Sequence, residues 1–175
     1  MKIVFMGTPD FALHSLKKLV ESPHEICAVF CQPDKPVGRN QKLQKPPVKE
    51  FADEQGIPVF QPESLKLDMV KNCIEALEPD LIAVVAYGKM LPKAILDYPR
   101  YGCINVHGSL LPKYRGSAPV HWAVINGETK TGVTTMYMAE EMDAGDILLT
   151  KETPIGETEI AGDVYDRLAE MGADL

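Results

Sequence analysis

A chain of 175 residues suits one domain and is long enough to bury a core. With 45% hydrophobic residues, 25% charged residues and a net charge of -7, the composition excludes intrinsic disorder, and the overall charge gives no pointer to nucleic acid. The opening "MKIVFMGTPDF" holds an apolar stretch too short for the core of a secretory signal, and no later run reaches membrane-spanning length; the expectation is a cytoplasmic protein with no membrane partner.

In chain order, "KIVFMG" reads as a buried strand and "DFALHSLKKLVES" as a helix with Phe11, Leu13, Leu16, Leu19 and Val20 on one face. The strand "EICAVFCQ" follows, then the Pro-, Gly- and Lys-rich loop "PDKPVGRNQKLQKPP", a helix "VKEFADEQG", a short strand "IPVFQ" and a helix "DMVKNCIEALE". "DLIAVVAYG" and "CINVHG" are strands, and "APVHWAVING" is a helix. "TGVTTMYMAE" and "GDILLTKETPI" are paired strands, and "GDVYDRLAEMG" is a closing helix. Strands alternating with helices predict an α/β, Rossmann-like, mostly parallel sheet with helices on both faces.

Such sheets gather their chemistry beyond the C-terminal ends of the strands. Asn105 and His107 stand at one such end, two residues apart, so period-two alternation sends both side chains to one face. The competing reading is a satisfied polar cap on a strand-to-loop turn. Asp143, in "EEMDAGD", has the same ambiguity, because Asp before Ala-Gly also suits a plain turn. Several chemistries are excluded. "MGTPDF" carries only Gly7 of the dinucleotide fingerprint, which argues against a nicotinamide cofactor, and no serine elbow occurs. Cys27, Cys31, Cys73 and Cys103 form no CxxC pair and sit in apolar runs, so no metal site is expected, and nothing marks Cys103 as an activated nucleophile.

The run "NVHGSLLPKYRGSAPVHWAVINGETKTGVT" followed by "MDAGDIL" resembles the folate-dependent formyltransferases, whose shared core is an Asn, a His two residues on, an SLLP turn and a distal Asp. "GTPDFA", "QPDKPVGR" and "VVAYGKMLP" are similar to the methionyl-tRNA formyltransferases within that family, and the resemblance runs from Lys2 to about Leu168. It implies transfer of a formyl group from 10-formyltetrahydrofolate, a co-substrate, to the amino group of initiator methionyl-tRNA, with no metal. Asn105, His107 and Asp143 would be catalytic. Two of these residue types suit that chemistry independently of the resemblance: an amide N–H and an imidazole N–H stabilise a developing oxyanion, and imidazole exchanges protons near neutral pH. By the same carry-over, folate would lie against Ser109, Leu110, Leu111 and Pro112, against Tyr87, Gly88, Lys89, Met90 and Leu91, and against Ala139, Glu140, Glu141 and Met142. Met90 and Met142 serve equally well as plain core residues.

Between Asp34 and Lys49 the chain is strongly basic inside an acidic protein. Lys35, Arg39 and Lys42 are the expected tRNA contacts there, against the alternative of a solvated loop. The resemblance also implies that residues 1–175 are a catalytic domain cut short at its C-terminal end, without the family's C-terminal tRNA-binding barrel. A helix cut short would expose apolar residues such as Leu168 and favour association. Two other readings stay open: a formyltransferase acting on an amino sugar nucleotide or glycinamide ribonucleotide, and a non-catalytic folate-binding fragment.

Overall fold

The computed structural model describes residues 1–38 and 41–175, with the side chain of Val37 also left aside. Its centre is a seven-stranded sheet of β1 (Lys2–Gly7), β2 (Glu25–Phe30), β5 (Val59–Phe60), β6 (Leu81–Val85), β7 (Cys103–His107), β8 (Lys130–Tyr137) and β9 (Ile147–Pro154). The order is β5-β2-β1-β6-β7-β8-β9. The first five strands are parallel, while β8 and β9 run antiparallel.

Alternation along the parallel strands builds two cores. Val4, Met6, Ile82 and Val84 face one side, where α3 (Asp68–Leu77) contributes Val70 and Ile74 and the short α4 (Lys93–Leu96) contributes Ile95 and Leu96. Phe5, Val29 and Val85 face the other side, under α1 (Asp10–Glu21), α2 (Pro47–Glu54), α5 (Pro119–Ile125) and α6 (Ala161–Asp174). Strands buried on both faces need near-continuous apolar sequence, which is why these segments are legible as strands. At Gly7 a Cβ would lie 2.6 Å from the Ala12 Cβ and 2.9 Å from the Val85 carbonyl oxygen, so only glycine lets α1 start this close to β6.

Three departures from the sequence-based expectation stand out. The basic segment is not wholly a loop: β3 (Lys35–Val37) pairs antiparallel with β4 (Lys42–Gln44), a hairpin too short and polar to show a hydrophobic period. The four-residue α4 is too short for periodicity to reveal. Leu168 is fully buried, not exposed, because α6 lies across the sheet and packs Val164, Leu168 and Ala169 into the core shared with α1. Its N-terminus is fastened by Asp163 Oδ2, which accepts the Ile160 N–H at 3.1 Å. Leu168→Ala therefore removes a packed side chain, and we expect a loss of about 2–5 kcal/mol in denaturant unfolding; a loss below about 0.5 kcal/mol would mean the helix is loosely docked.

Candidate active site

The chain leaves β1 for β2 on one side and later returns to pair β6 on the other, so the strand order reverses between β1 and β6. Crevices outside the C-terminal strand ends open at such reversals. Here the crevice is a cleft of about 490 Å³. Its walls come from Phe11 of α1, Val84 and Ala86–Met90 at the end of β6, and Asn105–Gly108 at the end of β7. Residues 116–121, Met138, Met142 and Asp143 after β8, and Tyr165 of α6 complete it.

Asn105, His107 and Asp143 all line this cleft. Asn105 sits in β7 between Val84 and Met136, half-buried, and no protein group among the described residues hydrogen-bonds its amide. His107 is 7% exposed, and its Nε2 lies 2.8 Å from the Tyr114 carbonyl oxygen. A carbonyl only accepts, so Nε2 carries a proton, and Nδ1 is the nitrogen left for chemistry. Nδ1 is 3.6 Å from Asp143 Oδ2, beyond a hydrogen bond but close enough to pair a charged ring with a carboxylate. Asp143 has a left-handed backbone (φ +48°), and its Oδ2 accepts the Gly116 N–H at 2.7 Å. Asp143 thus occupies a turn and faces the histidine at once: aspartate tolerates the left-handed backbone, and its side chain still lies 3.6 Å from His107 Nδ1.

The other expected site residues divide. Tyr87, Gly88, Lys89 and Met90 line the cleft, whereas Leu91 is buried in the core beside α3 and α4. Tyr87 presents backbone; its ring is buried, and burial pushes its hydroxyl up to about 12. Met142 lines the cleft, Ala139 and Glu141 line only a small side recess of about 30 Å³, and Glu140 lines neither. Ser109, Leu110, Leu111 and Pro112 are absent from the lining. Ser109 Oγ donates to the Lys113 carbonyl at 2.6 Å, Thr134 Oγ1 donates to the Ser109 carbonyl at 2.7 Å, and Leu110 packs on Gly132. Phe11, the stretch before and into α5, and Tyr165 line the cleft although sequence reasoning does not single them out. Periodicity marks Phe11 as core-facing but does not say that its helix begins at the cleft.

Lys35 and Lys42 are exposed on the β3–β4 hairpin, without an ion pair among the described residues; Arg39 lies outside the described residues. Lys45 and Lys49 are engaged at its base. Lys45 pairs with Asp53 at 2.9 Å, and Lys49 pairs with Asp34 at 2.8 Å while also donating to Gln61 Oε1.

Residues 1–175 match the family described as formyl transferase. The chain belongs to that family. It is 58% identical over its whole length to a methionyl-tRNA formyltransferase of Alkaliphilus oremlandii and 54% identical to one of a Geobacillus species, covering 56% and 55% of those proteins. The chain thus spans about half the length of the curated relatives it matches. Among solved structures, a phosphoribosylglycinamide formyltransferase from Bacillus halodurans superposes with a TM-score of 0.81 at 20% identity, covering 100% of this chain and 91% of the other. A formyltetrahydrofolate deformylase from Pseudomonas syringae gives 0.80 at 20% identity, over 99% and 58%. These two likenesses establish the formyl transferase fold, Rossmann-like with its mostly parallel sheet.

Within this member of the family, the thiols are packing groups. Burial pushes Cys31 up to about 11 and Cys103 up to about 12, so neither is a thiolate near neutral pH. Among the described residues no three His, Cys, Asp or Glu side chains gather in a way that would hold a metal, and no helix is long and apolar enough to cross a membrane. Iodoacetamide at pH 8 should leave Cys31 and Cys103 unmodified in the folded protein and label them on unfolding; rapid labelling of native Cys103 would contradict its burial.

Proposed function

We propose that residues 1–175 form the catalytic domain of a cytoplasmic methionyl-tRNA formyltransferase, which transfers a formyl group from 10-formyltetrahydrofolate to the amino group of initiator methionyl-tRNA for translation initiation. The supporting observation is the convergence of three polar groups, the Asn105 amide, His107 Nδ1 and the Asp143 carboxylate, on one otherwise largely apolar cleft. Whole-length likeness to methionyl-tRNA formyltransferases supports the acceptor.

The cleft suits the donor. Its volume lies within the range of small-molecule sites, and the Ala86–Met90 segment supplies backbone N–H and C=O groups to a flat heterocycle with Met90 and Met142, both about half exposed, beside it. The folate supplies an activated formyl group on N10. Asn105 donates an N–H to the formyl oxygen as negative charge gathers there, and this amide needs no rearrangement because no protein partner among the described residues occupies it. His107, held by Tyr114 through Nε2, presents Nδ1 to the same oxygen, with Asp143 balancing the charge of a proton on it. Asp143 keeps Oδ1 available after Oδ2 is engaged by Gly116, and through water it passes the proton of the attacking amine to the departing nitrogen. Ser109–Pro112 serve by shaping the loop after β7.

The deciding experiment assays formylation of charged initiator tRNA by the chain alone and by a protein of its relatives' full length. Glycinamide ribonucleotide and an amino sugar nucleotide are the competing acceptors, and transfer only to a small amine would overturn the tRNA reading. Asn105→Ala should lower the single-turnover rate about a hundred- to a thousandfold while tetrahydrofolate still binds, since its amide is most strongly engaged as charge develops. Asp143→Asn keeps the left-handed backbone and an acceptor for Gly116, so it should fold normally and still lose rate, with an altered pH profile. Full activity with an unchanged profile would reduce Asp143 to a turn residue. For the hairpin, Lys35→Ala with Lys42→Ala should weaken tRNA binding and flatten its salt dependence by roughly 0.9 for each phosphate left without its cation, with folate binding intact; an unchanged salt slope would make the hairpin a solvated surface feature.

A further inference from the structure

Among their described residues, the motifs "GTPDFA" and "QPDKPVGR" place one, Phe11, in the cleft lining, yet each sends one polar side chain to the loop that forms the cleft wall. The Tyr87 carbonyl accepts two hydrogen bonds, from Thr8 Oγ1 at 3.3 Å and from Gln32 Nε2 at 3.0 Å. Thr8 Oγ1 in turn accepts the Gln32 backbone N–H at 3.2 Å. The ends of β1, β2 and β6 are thereby closed into one ring of hydrogen bonds. Gln32 is steadied from behind, where its carbonyl accepts Gln61 Nε2 at 2.9 Å, and Gln61 also donates to Asp34 at the base of the hairpin.

The conformation of the wall explains why it needs such a fastening. Ala86 (φ +47°) and Gly88 (φ +83°) both sit in the left-handed region on either side of Tyr87, a conformation that persists for a non-glycine residue only when its surroundings hold it. The Tyr87 ring is buried, while Ala86, Gly88 and Met90 are exposed towards the cleft. A Cβ on Gly88 would find only Gln32 Nε2 within 4 Å, at 3.9 Å, so the glutamine amide is what underlies this stretch.

We propose that Thr8 and Gln32 are positioning residues: by clamping the Tyr87 carbonyl they hold the Ala86–Met90 wall in its binding geometry before the formyl donor arrives. Neither lines the cleft, so both act through Tyr87. The inference rests on the reading that this wall receives the folate. Its physical content is preorganisation, since a loop already ordered in the free protein does not lose that freedom on binding.

Thr8→Val and Gln32→Met delete the donors while roughly keeping volume, and Thr8→Ser restores the hydroxyl. Two readouts separate the clamp from the functional reading. The first needs no ligand: amide hydrogen exchange over residues 86–91 should accelerate in Thr8→Val and Gln32→Met and stay near wild type in Thr8→Ser, with thermal unfolding followed to confirm that all three variants fold. The second is tetrahydrofolate titration with donor kinetics in the intact protein. Kd and donor KM should rise about three- to tenfold in the two deletion variants, the scale of one missing hydrogen bond, with kcat at saturating donor and KM for tRNA unchanged. Wild-type exchange in both deletion variants, or a Thr8→Ser variant as impaired as Thr8→Val, would overturn the clamp. Absence of tetrahydrofolate binding by the wild type would instead overturn the reading of the cleft.

Discussion

The hydrogen bond from the Gly116 N–H to Asp143 Oδ2 is the contact around which the end of the cleft that holds His107 and Asp143 is arranged. It joins the loop after β7 to the loop after β8. A second link between the same loops, Arg115 to Glu141 at 3.5 Å, is largely exposed on both sides. An exposed ion pair contributes about 0–1 kcal/mol, whereas a hydrogen bond to a charged, mostly buried carboxylate contributes about 1.5–3 kcal/mol. The buried bond therefore decides where the loops meet. It also leaves the carboxylate facing His107 with one oxygen to spare.

The SLLP turn acts on the same histidine from the opposite side without entering the cleft. Thr134 of β8 donates to the Ser109 carbonyl and accepts the Leu111 N–H at 3.2 Å, stitching the turn to the sheet. The Ser109 hydroxyl closes the turn on Lys113, which brings Tyr114 into place with a left-handed backbone (φ +57°). Tyr114 is anchored at its far end, where its hydroxyl donates to Glu128 at 2.8 Å; that bond, together with Lys113, holds the Glu128 carboxyl below its ordinary range. The product of this arrangement is the Tyr114 carbonyl set 2.8 Å from His107 Nε2. Sheet, turn and tyrosine thus select which imidazole nitrogen is left towards Asp143, a positioning role carried by backbone.

That division explains what could be read from the amino-acid order. The parallel strands, their helices and the pairing of Asn105 with His107 follow from period and apolar content, because each is a local pattern with one physical solution. The placement of Asp143 opposite His107 is a contact between distant segments, and only the family resemblance pointed to it. The short β3–β4 hairpin and α4 fall below the length at which periodicity speaks. Ser109–Pro112 are recognisable as a motif, yet sequence alone does not distinguish a residue that touches a ligand from one that holds its neighbour in place. Thr8 and Gln32 illustrate the same limit: both stand in motifs that carry the resemblance, and both spend their polar atoms on protein.

The cations of the basic segment divide between folding contacts and solvent. Lys49, with its side chain only 16% exposed, neutralises Asp34 and binds Gln61, and Lys45 is tied to Asp53, so these two cations set the hairpin on the body and have little field to offer a partner. Lys35 and Lys42 project from the strands themselves. A net charge of -7 is repulsive to a polyanion on average, and the exposed Lys35 and Lys42 are a local departure from it. A local excess of cations of this kind makes an approach led by the hairpin less repulsive to a polyanion than the net charge alone would make it.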